Sequence, residues 1–195
     1  MTGSGDQQER GDFLARRVDL TSMPAGDALP ERELTVLHEA AGITRLGSPE
    51  KQTCCGSGAT VVFSGAGCEA KLRAAAALAH ETERPLYRVS APAIVSKYIG
   101  ETEKNLDRVF QQVQQNVQDS GAILFFDEAD SLFGKRSEVK DSHDRYANLS
   151  PEAFLKARAA FSGTVILDAE SQPTAEEGGP SRLGYEVRFP LSGEV

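Results

Sequence analysis

The chain has 195 residues, 39% of them apolar and 26% charged, with a net charge of −8. That is enough for one domain with a sizeable core and too little for two comfortable ones. The acidic balance argues against a general affinity for nucleic acid, and no stretch approaches the roughly 18 apolar residues of a membrane span.

The start, MTGSGDQQERGD, lacks the apolar core of a signal peptide, which points to the cytoplasm. Three cysteines occur, Cys54, Cys55 and Cys68; two are adjacent and no C-x-x-C is present. Neither a disulfide framework nor a zinc site is supported, and His80 beside them reads as a surface histidine.

Residues 1–57 read as a polar tail or linker with one short helix, and residues 58–195 as a core. Within the first part, residues 1 to about 30 are rich in Gly, Asp, Gln and Pro and read as a flexible tail. Pro30 to Ala41 is the short helix: Pro30 suits a first turn, and Leu34, Leu37 and Ala41 stand three and four residues apart. Gly42 to Ala59 shows no periodicity and reads as a connector.

From Thr60 strands alternate with helices. Val61-Val62-Phe63 is a buried strand, Lys71 to Thr82 an Ala-rich helix, and Leu86 to Val89 a second strand. Glu101 to Gln118 is a long helix whose Leu106, Val109, Phe110, Val113 and Val117 form one packing stripe. Ile123 to Phe126 is the third strand. Ser150 and Pro151 open a helix to Ala160, Val165-Ile166-Leu167 is the fourth strand, and Glu186 to Phe189 the fifth. This alternation predicts an α/β fold, a five-stranded parallel sheet flanked by helices in a three-layer sandwich. The charged run Glu138 to Arg145 reads as a solvated helix face or loop.

Two stretches carry chemistry. Ile123 to Phe126 runs into Asp127-Glu128, and an acid pair at the C-terminal end of a buried parallel strand sits where open α/β folds bind ligands. In phosphate chemistry the first acid holds Mg²⁺ and the second orients or activates a water. On the bland reading the two acids simply solvate a strand end. The second stretch follows the first strand. A phosphate-binding loop there has the form G-x-x-x-x-G-K-[ST]. This chain offers Gly65-Ala66-Gly67-Cys68-Glu69-Ala70-Lys71-Leu72: the first Gly and the Lys are in place, but Ala70 replaces the second Gly and Leu72 the hydroxyl.

Ser96 to Leu106 (SKYIGETEKNL) and Asp127 to Asn148 (DEADSLFGKRSEVKDSHDRYAN) are long and specific strings. On them the chain from Val61 to Leu191 resembles the large subdomain of an AAA+ ATPase, a P-loop NTPase fold. The resemblance implies ATP and Mg²⁺ as cofactors, and protein partners that include AAA+ subunits in a ring. It implies roles for Asp127 (metal and nucleotide), Glu128 (hydrolytic water) and Lys71 (phosphate), with the loop Gly65 to Leu72 around the nucleotide. Lys97-Tyr98-Ile99 resembles the aromatic loop that lines the central pore of such rings.

The departures cluster at the nucleotide. Glu170, in VILDAES, stands where the family has a water-orienting polar residue. Arg182 alone remains of the arginines that reach a neighbouring subunit, and the small helical lid is expected to be absent. Glu69 adds a negative charge: at about 4 Å and an effective dielectric of ~20 it would repel a phosphate by roughly 4 kcal/mol, close to a thousandfold in affinity, unless it turned to water. The expectation is a relative with a degraded phosphate loop, binding ATP weakly or not at all and acting through partners. The alternative is an active hydrolase that remodels or threads proteins.

Overall fold

The computed structural model describes residues 14–23, 59–65, 67–117, 121–133, 149–169 and 183–189. The expected helix Pro30–Ala41, nearly all of the connector after it, Cys54, Cys55 and the run Glu138 to Arg145 lie outside the described residues.

Six strands form one sheet: β1 (Ala15–Arg17), β2 (Thr60–Gly65), β3 (Leu86–Ser90), β4 (Ile123–Asp127), β5 (Thr164–Ala169) and β6 (Tyr185–Phe189), in the order β1-β3-β4-β5-β2-β6. β2 to β6 run parallel, as the βα alternation requires. The sixth strand departs from the expected five. β1 lies in the stretch read as a tail, and it pairs antiparallel with β3 in the register Ala15↔Val89. Three residues, two of them exposed arginines, carry too little apolar alternation to announce a strand.

Five α-helices are described: α1 (Cys68–Thr82), α2 (Ala91–Ile94), α3 (Glu101–Asn116), α4 (Asp130–Phe133) and α5 (Pro151–Arg158). Alternation along each strand splits the core in two. Val61, Phe63, Leu86, Ile123, Phe125 and Ile166 face α1, whose Ala74 to Ala79 are all buried. Val62, Val89, Leu124, Phe126, Val165 and Leu167 face the other layer, built on α3 and α5. There Leu106, Val109, Phe110 and Val113 of the expected α3 stripe meet Phe154. Phe110 lies 6.0 Å from Phe126, 6.1 Å from Phe154 and 5.5 Å from Phe161, ring to ring. The result is the three-layer sandwich.

Helix ends follow local chemistry. Ser150 caps α5 by accepting a hydrogen bond from the Ala153 amide at 3.1 Å, with Pro151 in the first turn. α1 ends on Glu83 at φ 55°, where the Arg84 amide donates to the carbonyl of Ala79 at 3.0 Å. That left-handed turn usually belongs to glycine.

Candidate functional site

Parallel strands bring their C-terminal ends to one edge of the sheet, and there Arg88, Asp127 and Asp168 converge. The pleat decides their face. Arg88 is two residues past Leu86, Asp127 two past Phe125 and Asp168 two past Ile166, and those three apolar residues all pack on the α1 side. The first turns of α1 supply Cys68 and Lys71 from above.

The amine of Lys71 donates to Oδ1 of Asp168 at 2.6 Å and to the carbonyl of Ala169 at 2.8 Å. Lys71 is 1% exposed and Asp168 2%. Beside them Nε of Arg88 donates to Oδ2 of Asp127 at 3.0 Å, and Nη2 of the same arginine also bonds that oxygen. The thiol of Cys68 donates to Oδ1 of Asp127 at 2.9 Å. Two cations and two carboxylates thus close into neutral pairs.

Ionisation follows the contacts. Burial pushes the Cys68 thiol up to about 12, helped by its bond to Asp127 and the nearby Asp168 charge, so it stays protonated. Burial also opposes ionisation of Asp127. The hydrogen bonds from Cys68 and Arg88 and the Arg88 charge outweigh it and hold that carboxyl below its usual range. The bond to Asp127 raises Arg88 in turn, against its own desolvation.

The loop before α1 is shaped by packing. Gly65 has φ 98°, and a Cβ there would lie 2.1 Å from the carbonyl oxygen of Phe189 in β6. Gly is thus required at this position by the neighbouring strand. Gly67 is the N-cap of α1, with open space around it. Glu69 turns its carboxylate outward, 89% exposed and 3.8 Å from Arg73. Ala70 and Leu72 are partly buried against the α1-side core. Ala66 lies outside the described residues, as do Glu170 and Arg182.

Glu128 follows β4 in a left-handed turn at φ 55° with its side chain exposed. Its carbonyl accepts bonds from the Ser131 amide at 3.0 Å and the Ser131 hydroxyl at 2.8 Å. The Ala129 amide, next in line, donates to the carbonyl of Asp168 at 2.8 Å and pins the end of β4 to β5.

Lys97, Tyr98 and Ile99 form a separate tip between α2 and α3. Tyr98 is 62% exposed and Ile99 75%. The tip is anchored at its base: the Ser96 amide donates to Oγ1 of Thr102 at 3.0 Å, the Tyr98 amide to Oγ of Ser96 at 3.2 Å, and Gly100 caps α3 at φ 76°. Lys97 lies over the Tyr98 ring at 5.3 Å.

A family model described as "ATPase family associated with various cellular activities (AAA)" matches residues 65–171, more than half of the chain. The chain belongs to the AAA family. Over 184 residues it is 34% identical to "ATPase family gene 2 protein homolog B" of Homo sapiens, covering 88% of this chain and 24% of that protein. It is 30% identical over 118 residues to "Cell division cycle protein 48 homolog" of Archaeoglobus fulgidus, covering 59% of this chain and 16% of that one. A further AAA relative is "26S proteasome regulatory subunit 6B homolog" of Dictyostelium discoideum, 31% identical over 127 residues, covering 62% of this chain and 31% of the relative. The chain therefore spans a third or less of each of these AAA relatives.

AAA membership implies ATP with Mg²⁺, and the site can be tested for fit. Mg²⁺ wants oxygen ligands in an octahedron. Cys68, Asp127 and Asp168 bring one ligand atom each within 4.8 Å of one another. Yet the thiol is protonated, Asp127 is held by Arg88, Asp168 by Lys71, and Leu72 brings no oxygen. A divalent ion would have to displace a resident cation. The described side chains do not fit it as they stand.

Asp168 and Arg88 were not singled out by the sequence reading. VILDA repeats the pattern that drew attention to ILFFDE, an acid closing a buried apolar run, and it was the available signal for Asp168. Arg88 is the one charged residue of the short strand LYRVS, and in sequence alone such a residue looks solvated.

Proposed function

We propose that this chain is an AAA module that binds ATP·Mg²⁺ weakly or not at all, does not turn it over efficiently, and acts by binding protein partners. The observation that carries this reading is the burial of Lys71 against Asp168. A phosphate that took Lys71 would leave Asp168 buried and unpaired. Uncompensated buried charges of that kind cost about 3–5 kcal/mol. At about 1.4 kcal/mol per decade, that weakens affinity roughly a hundred- to a few-thousandfold. Leu72 in place of a hydroxyl and Arg88 on Asp127 act in the same direction.

The exposed Lys97-Tyr98-Ile99 tip supports the partner half of the proposal. An aromatic and an aliphatic side chain held in water on an anchored turn are suited to grip a polypeptide or pack against a neighbouring AAA subunit. Arg182 would be the residue to reach such a neighbour.

An active hydrolase is the second reading, favoured by Glu128 standing exposed directly after Asp127 at the end of β4. Calorimetric titration with ATP and Mg²⁺ separates the two. Silence at micromolar nucleotide supports the proposal. Micromolar binding, with turnover abolished by Glu128→Gln, establishes the hydrolase instead.

A further inference from the structure

Lys71 and Asp168 form a buried ion pair between the first turn of α1 and the end of β5. An unpaired ammonium is costly to bury, so a lysine buried at this place needs either a bound anion or an internal one. Here it is 1% exposed and donates to a carboxylate oxygen at 2.6 Å and a carbonyl oxygen at 2.8 Å. Its partner comes from the adjacent strand end, on the face that Phe63 and Ile166 share with α1. Arg88 does the complementary thing at Asp127, bringing a positive charge to the acid expected to hold a metal.

We propose that Asp168 is a resident internal anion that takes the place of a terminal phosphate at Lys71, so that this AAA core is complete and neutral without nucleotide. The inference rests on the reading of the pocket as closed to ATP and gives the residue that closes it. Its consequence is specific: removing the carboxylate while keeping the lysine leaves a buried cation that an added polyanion can satisfy. Asp168 is then a specificity-determining residue, and Asp168→Asn converts a self-satisfied site into an anion site.

The test is thermal unfolding of the full chain, wild type and Asp168→Asn, with sodium tripolyphosphate titrated against sodium chloride at matched ionic strength. The Asp168→Asn chain is expected to melt lower than wild type in chloride. It should then gain on the order of 5–10 °C at a hundredfold excess of tripolyphosphate over its dissociation constant. Wild type should move by about 1 °C or less. The double variant Lys71→Met/Asp168→Asn, with no buried charge left at this pair, should ignore tripolyphosphate. An Asp168→Asn chain that stays unfolded with tripolyphosphate, or folds and is indifferent to it, overturns the proposal. So does an equal gain in wild type. Failure of the closed-pocket reading is distinguishable, because it appears as ATP binding by wild type in the calorimeter, whatever Asp168→Asn does.

Discussion

Arg88 and Asp127 meet on the α1 side of the sheet, and two nitrogens of the guanidinium bond the same carboxylate oxygen. Asp127 is thereby committed to a protein cation. Its side chain is 14% exposed while that of Arg88 is 47% exposed, so solvent screens the pair from one side only.

The pair makes stability depend on acid. The folded chain holds Asp127 below the usual carboxylate range, so its contribution is present above the unfolded value and lost as the pH falls through the lower folded pKa. Arg88→Ala removes a hydrogen bond and a positive charge that help hold the pKa down, while the Cys68 bond remains. The expected result is a loss of about 0.5–1 kcal/mol at neutral pH, discounted for exposure, and acid unfolding that begins at higher pH. A urea midpoint at neutral pH reads the first and circular dichroism against pH the second; an unmoved acid midpoint contradicts the assignment.

Cys68 is expected to be inert. With its thiol raised from 9.0 to about 12, the thiolate fraction near neutral pH falls about three orders of magnitude below that of an unperturbed cysteine. In a chain with Cys54→Ser and Cys55→Ser, iodoacetamide should label Cys68 correspondingly slowly. The rate should keep rising about tenfold per pH unit through pH 10. A rate that levels off near pH 9 shows an unperturbed thiol and no bond to Asp127.

Gly65→Ala tests whether the loop glycine serves the sheet. The new Cβ would meet the Phe189 carbonyl oxygen at 2.1 Å, and φ 98° is closed to ordinary side chains. A loss of about 3 kcal/mol or more is expected from the urea midpoint, with no nucleotide present. A neutral result would mean that β6 does not lie against β2 as described.

Glu83→Gly should do the opposite. The residue closing α1 is exposed and left-handed at φ 55°, a conformation that costs a non-glycine residue about 1 kcal/mol. Replacement should raise the urea midpoint by roughly 0.5–1 kcal/mol of stability. A drop would show that the Glu83 side chain makes a compensating contact.

Most of the fold was legible because it rests on local pattern. Four-residue apolar runs such as Ile123 to Phe126 announce strands buried on both faces, and the Leu106 to Val113 stripe announces a helix over a sheet. Ser150-Pro151 marked the start of α5 correctly. β1 was missed because its pairing is supplied by β3, whose residues Tyr87 to Val89 stand far along the chain from Ala15 to Arg17, so no short hairpin connection reveals it in sequence.

The candidate site was half legible. The loop and the acid pair follow known spacings, so Lys71 and Asp127 could be marked. What occupies them is a question of strand register, and register sets Asp168 opposite Phe63, close under α1. No spacing rule connects residues 71 and 168, so the pairing that decides the chemistry appears only once the strands are ordered. The outward turn of Glu69 likewise removes a repulsion that charge counting alone would have placed in the pocket.

The most direct test is calorimetric titration of the full wild-type chain with ATP in the presence of Mg²⁺. No saturable heat is expected below about 1 mM nucleotide, the affinity left when a buried pair must be broken to bind. Saturable binding at micromolar ATP, with Lys71→Met abolishing it, would show that Lys71 leaves Asp168 readily and that the pocket is open.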